Sequence, residues 1–221
     1  MEIAAESVTL QIPAGEVTLT GDLAIPGNAP GLVLFSHGSG SSRQSPRNQA
    51  VAEILRDAGM ATLLFDLLTP QEEAADAYGG HLRFDIGLLS RRLASVTEEI
   101  ADDPHSRNLA LGYFGASTGG AAALRAAAAL GSVIGAVVSR GGRPDLADEA
   151  LAYVKAPTLL IVGERDEDVL RLNERAYAQL QCEKSFAVVP HATHLFQEPG
   201  ALEEVARLAA DWFKKHLKPR K

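Results

Sequence analysis

Residues 109–130 read LALGYFGASTGGAAALRAAAAL. Leu109 to Phe114 is a short apolar run, the pattern of a strand buried on both faces. Ser117 to Leu130 is rich in alanine and closes on Gly131, which predicts a helix. Between them Gly115-Ala116-Ser117-Thr118-Gly119 matches G-x-S-x-G. The pentapeptide alone is a weak signal, because glycine and serine are common. In a strand–turn–helix setting it places the serine on a sharp, strained turn that lifts the hydroxyl above the sheet edge. The helix N-terminus behind it favours developing negative charge. The flanking glycines allow strand and helix to approach closely. The competing reading makes Ser117 an ordinary helix N-cap.

On either side the same alternation continues. Leu32–Phe35, Met60–Phe65, Val133–Val138, Thr158–Val162 and Ser185–Val189 are short apolar runs read as strands. Gln49–Ala58, Phe84–Ala101, Asp145–Tyr153, Val169–Leu180 and a last helix opened by Pro199 and running to His216 lie between or after them. Residues 6–12 and 17–25 alternate and turn at Pro13–Gly15, which predicts an antiparallel hairpin. Leu67–Arg83 is charged and irregular, and too short for a large lid. The expectation is an α/β fold in one domain over residues 1–221: a mostly parallel, doubly wound sheet behind an N-terminal antiparallel hairpin.

Composition narrows the function classes. The chain has 221 residues, with 46% hydrophobic and only 5% aromatic, which suits a sheet packed by aliphatic side chains. Its formal net charge of −7 argues against a nucleic-acid partner. The basic cluster Lys214, Lys215, Lys218, Arg220 and Lys221 is read as the favourable charge at a helix C-terminus. No early apolar run follows a basic start, and no apolar segment reaches the ~18 residues of a membrane span. The lone cysteine, Cys182, cannot form a disulfide within the chain, which fits a reducing, cytoplasmic setting. No cofactor and no metal are expected, and oligomeric state is not legible.

A serine nucleophile needs a base and a carboxylate, and in this architecture they follow in the order Ser, Asp or Glu, His. After the strand Thr158–Val162 comes Gly163-Glu164-Arg165-Asp166. Asp166 is preferred as the carboxylate that orients the histidine. Asp168 and Glu164 are rivals, Asp168 fitting better as N-cap of the next helix. After the last strand comes Pro190-His191-Ala192-Thr193-His194-Leu195-Phe196. His194 is preferred over His191 as general base, since an apolar pair follows it and can anchor the loop. The tetrahedral intermediate of acyl transfer also needs hydrogen-bond donors. The backbone N–H of Thr118 is one, and Ser39 in the loop Ser36-His37-Gly38-Ser39-Gly40-Ser41-Ser42 is assigned as the second. His37 is read as structural. Arg43, Arg47, Arg140 and Arg143 fall in loops on the same rim. Arg43 and Arg140 are candidates for binding an anionic substrate group, against a reading in which the arginines pair with Asp66, Glu72, Glu73 or Asp145.

With these residues in view, the chain resembles the dienelactone-hydrolase-like branch of the α/β-hydrolases. The resemblance covers nearly the whole chain. It rests on the HGSGSS loop, the LLFDLLT strand end, the GASTGG elbow, the Ser139-Arg140-Gly141-Gly142 loop and the ATHLF ending. It implies an α/β-hydrolase fold and a hydrolase acting on a small-molecule ester through Ser117, Asp166 and His194. Dienelactone hydrolases proper carry a cysteine nucleophile where Ser117 stands, so the resemblance implies ordinary ester cleavage rather than dienelactone cleavage. Three positions depart from the pattern: His191 where glycine is usual, Glu164 where a small residue is common, and Gly120 as an extra elbow glycine. Such departures are what an engineered or reconstructed member would carry. Two other functions share the sequence features: a weakly active or non-catalytic scaffold, and a thioesterase or acyltransferase.

Overall fold

The computed structural model describes residues 7–219. Its strands are β1 (Val8–Ala14), β2 (Val17–Ala24), β3 (Gly31–Ser36), β4 (Ala61–Phe65), β5 (Ala110–Ala116), β6 (Ile134–Arg140), β7 (Thr158–Gly163) and β8 (Lys184–Val189). They form one sheet in the order β1-β2-β4-β3-β5-β6-β7-β8. β1 and β2 pair antiparallel, β2 runs antiparallel to β4, and the other neighbours are parallel. This is the α/β-hydrolase arrangement with its N-terminal hairpin. The helices are α1 (Pro46–Asp57), α2 (Pro70–Gly79), α3 (Ile86–Asp102), α4 (Thr118–Leu130), α5 (Glu167–Gln179) and α6 (Ala201–His216).

Strand alternation divides the core between the two faces of the sheet. Leu32 and Leu34 of β3 pack with Leu89, Leu93 and Val96 of α3 and with the alanines of α4. Val33 and Phe35 face the other way, onto Val51 and Leu55 of α1 and Val205, Ala209 and Phe213 of α6. The small side chains of α4 let it lie directly behind β5, and this brings its N-terminus to the carboxyl edge of the sheet.

Four details differ from the sequence expectation. Pro13 lies inside β1, opposite Thr18, and the turn is Gly15-Glu16. Proline is tolerated there because β1 is an edge strand. The irregular stretch 67–83 holds α2, started by a capping box in which Thr69 Oγ1 accepts from Glu72 N and Glu72 Oε2 accepts from Thr69 N. Residues 144–153 form 3₁₀ turns broken at Asp148, whose φ is 51°. α1 begins at Pro46, three residues before the expected start. Residue 6 of the hairpin, and Arg220 and Lys221 of the basic cluster, lie outside the described residues. Lys214 and Lys215 do fall in the last turn of α6, with Lys215 on Glu183 at 2.7 Å. Among the described residues no helix is long and apolar enough to cross a membrane.

Candidate active site

Ser117 sits between β5 and α4 with φ 51° and ψ −122°, a backbone conformation that L-residues rarely adopt. Neighbours hold it there. Its N–H donates to Arg140 O (3.2 Å), and its carbonyl accepts from Gly120 N and Arg143 N (3.0 Å each). Ser117 holds the N-cap position of α4 by its backbone, but its side chain makes no helix-capping hydrogen bond, so it is not an ordinary cap. The glycines answer close contacts: a Cβ on Gly115 would meet Gly120 Cα at 2.6 Å, and one on Gly120 would meet Ser139 Oγ at 2.6 Å. Gly120 is therefore set by Ser139 on the neighbouring strand.

Asp166 follows β7 and its carboxylate leaves the helix behind it uncapped. Oδ2 lies instead 2.6 Å from His194 Nδ1. Asp168 is not the N-cap. Asp166 holds that position by its backbone, because α5 starts at Glu167. Asp168 falls in the first turn, exposed and paired with Arg171. The 140–143 loop links the serine and the histidine. It exchanges backbone hydrogen bonds with Ser117, and a Cβ on Gly141 would lie 3.2 Å from His194 O and 3.5 Å from His194 Nδ1. Among the described residues, no hydrogen bond joins the Ser117 hydroxyl to His194. Asp166 and His194 are thus in contact, and Ser117 and His194 are not hydrogen-bonded.

The departures His191 and Glu164 are partners. His191 has φ 61°, which explains why glycine suits the position. Its N–H donates to Glu164 Oε2 at 2.6 Å, and its exposed ring lies 3.3 Å from the same oxygen.

The loop after β3 is built around His37. Its Nε2 accepts from Leu67 N and its Nδ1 donates to Gly38 O, both at 3.0 Å. Burial pushes its pKa down, consistent with a neutral structural imidazole. Gly38 packs on Ser117: a Cβ there would lie 3.0 Å from Ser117 Cβ. The Ser39 N–H, expected to face an oxyanion, donates to Thr118 Oγ1 at 2.9 Å. The Thr118 N–H belongs to the first turn of α4, where amides lack intrahelical acceptors.

The four rim arginines separate into two kinds. Arg43 is not free to receive a substrate: its guanidinium pairs with Asp22 and Asp66, and its N–H also donates to Asp66. Arg143 forks onto Asp145 through two 2.8 Å hydrogen bonds. Arg140 and Arg47 have no carboxylate partner among the described residues. A cavity of 510 Å³ opens beside Gly38 and Ser39, walled by residues 37–42 and 44–47 on one side and by Leu68, Glu73, Asp76 and Arg83 on the other. Sequence reading missed that second wall. The Thr69–Glu72 capping box was the signal that could have revealed it.

A family model described as "Dienelactone hydrolase family" matches residues 19–218. A solved structure named as a dienelactone hydrolase from Anabaena variabilis ATCC 29413 is 56% identical, with a TM-score of 0.97 over 98% of this chain and 100% of that one. Est1E from Butyrivibrio proteoclasticus superposes with a TM-score of 0.78 over 94% of this chain and 98% of its own; at 17% identity it speaks for the fold alone. Two Mycobacterium tuberculosis proteins named "Putative phosphoribosyl transferase" are 57% identical over 208 residues. The match takes in 94% of this chain but only 46% of theirs, so the chain spans about half the length of these curated relatives.

Proposed function

The chain belongs to the dienelactone hydrolase family, and we propose that within it this hydrolase cleaves small carboxylic esters through an acyl-enzyme on Ser117. Ser117 Oγ attacks the acyl carbonyl as His194 Nε2 takes its proton. Asp166, on Nδ1, orients the ring and stabilises the imidazolium. His194 then protonates the departing alcohol oxygen. Water, deprotonated by the same imidazole, attacks the acyl-enzyme; the Oγ–acyl bond breaks, the imidazolium returns its proton to Ser117 Oγ, and the acid leaves. The Thr118 and Ser39 N–H groups are assigned to the oxyanion in both halves, the second after it exchanges its partner Thr118 Oγ1 for the negative oxygen.

The observation that carries this reading is the 2.6 Å Asp166–His194 contact on the same rim as a strained, uncapped serine. The open Ser117–His194 half fits a resting enzyme, in which catalytic hydrogen bonds are often loose and tighten on binding. His194 keeps 37% of its side-chain surface exposed, so water can reach the base, which favours hydrolysis over transfer to a carrier. The lone Cys182 lies by Thr158, away from these loops, and a reducing cytoplasmic setting suits it. The transferase name of the mycobacterial relatives is not carried over, because more than half of each lies outside the match.

Hydrolysis of p-nitrophenyl acetate by the chain and by Ser117→Ala tests the proposal. The variant should lose about 10²-fold or more, as triad enzymes do. Equal rates, or a fluorophosphonate label on a residue other than Ser117, would remove it as nucleophile.

A further inference from the structure

Two cationic side chains at the rim stand without a counter-charge, in a chain whose net charge is −7. Arg140, at the end of β6, is 6% exposed. Among the described residues its guanidinium makes one hydrogen bond, a long one, Nη2 to Asn48 Oδ1 at 3.4 Å. Its Nε is buried with no partner at all, and the guanidinium lies 5.7 Å from the Phe196 ring centroid. Burial, and then the nearby Arg47, lowers its pKa to about 10, which leaves it charged at neutral pH. Arg47 lines the cavity beside Ser39, and its side chain makes no hydrogen bond or ion pair among the described residues.

A buried guanidinium with open donors is costly unless something fills them. The local backbone is arranged for the same occupant. Arg47 and Asn48 form the first turn of α1, after Pro46, which has no N–H. Ser45, the N-cap, supplies no side-chain cap, so the N–H groups of Arg47 and Asn48 stay free. Arg140, held beside Asn48, and Arg47 thus flank the positive end of α1 and its free amides. Glu73 and the Asp76–Arg83 pair stand on the α2 wall. Glu73 offsets part of this positive charge, so the donors decide the anion. Two guanidinium forks and two amides offer more hydrogen bonds than the two oxygens of a carboxylate accept, whereas a phosphate monoester dianion presents three terminal oxygens.

We propose that Arg140, Arg47 and the first turn of α1 form a binding site for a phosphate monoester group, and that the ester cleaved at Ser117 carries that phosphate. The anion site stands on its own residues; its assignment to the substrate rests on the serine-hydrolase reading above.

Calorimetric titration of inorganic phosphate into the whole chain, Ser117→Ala, Arg47→Gln and Arg140→Lys tests it, with acetate as the carboxylate arm. Phosphate should bind the chain and Ser117→Ala alike. It should bind Arg47→Gln about tenfold more weakly or worse, the worth of a charge-assisted contact. Arg47 is half-buried and unpaired, so that variant should fold even if changes at Arg140 do not. Acetate should bind at least about tenfold more weakly than phosphate. Unchanged phosphate affinity in Arg47→Gln overturns the site, and acetate binding as tightly as phosphate overturns the dianion. Phosphate should also inhibit ester hydrolysis competitively, and inhibition that is not competitive separates the anion from the substrate. If Ser117→Ala hydrolyses esters as fast as the parent while phosphate still binds, the hydrolase reading fails and the anion site survives.

Discussion

His194 Nδ1 lies 2.6 Å from Asp166 Oδ2, while Asp168, two residues along the same chain, points into solvent and pairs with Arg171. The α5 helix begins between them, so one carboxylate faces the histidine loop and the other lies on the outer face of the first turn. Asp166→Asn should therefore lower kcat for p-nitrophenyl acetate by about 10³-fold or more, because the amide cannot stabilise the imidazolium. Asp168→Asn should change it by no more than about twofold, as for an exposed pair. The reverse order would move the orienting role to Asp168.

The Thr118 hydroxyl holds the Ser39 N–H at 2.9 Å. An oxyanion at that donor must displace it. Thr118→Val keeps the side-chain shape and removes the competing acceptor. Steady-state kinetics should show kcat rising by about fivefold, the worth of one neutral hydrogen bond of about 1 kcal/mol. A fall instead would mean that the hydroxyl holds the Ser39 loop in its working position.

Glu72 joins α2 to α3 through Arg92. The Arg92 hydrogen bonds pull its carboxyl from 4.5 down to about 2. A carboxyl lowered by folding stabilises the native state fully above its unfolded value, and that stabilisation is lost as pH falls from 4.5 through about 2. Glu72→Gln keeps the capping geometry and removes the charge. Its denaturant midpoint at pH 7 should correspond to a loss of about 2 kcal/mol. The gap to the parent should narrow clearly by pH ~3, and a constant gap would show that this pair does not titrate as described.

His191 occupies a left-handed backbone position, φ 61°, where glycine carries no strain. Its ring pair with Glu164 is exposed and contributes little. His191→Gly should raise the melting temperature by roughly 2 °C, for about 0.5–1 kcal/mol of relieved strain. Ester turnover should be unchanged. A large drop in kcat with a folded protein would give the His191 imidazole a part in the chemistry.

Much of the site was legible along the chain because local rules govern it. The G-x-S-x-G turn requires its own strained serine and close-packed glycines, and the strand ends before Asp166 and His194 announce which rim they reach. The hairpin and each strand of the parallel sheet follow from apolar patterning. Helix α2 was missed because its apolar pattern is weak and its stability comes from Thr69, Glu72 and Arg92, the last twenty residues away. Asp168 was misplaced because the start of a helix depends on where the preceding strand ends.

The order of Ser117, Asp166 and His194, and the alternation that sends them to one edge, were properties of the sequence alone, since burial periodicity and turn chemistry are local. Partner choice was not. Four arginines fall on one rim, yet among the described residues Arg43 and Arg143 meet carboxylates while Arg140 and Arg47 meet none. Likewise the Ser39 N–H finds Thr118, 79 residues away. Such pairings depend on distances between elements brought together only when the sheet closes, because charge and hydrogen bonding act over a few ångströms and have no register along the chain.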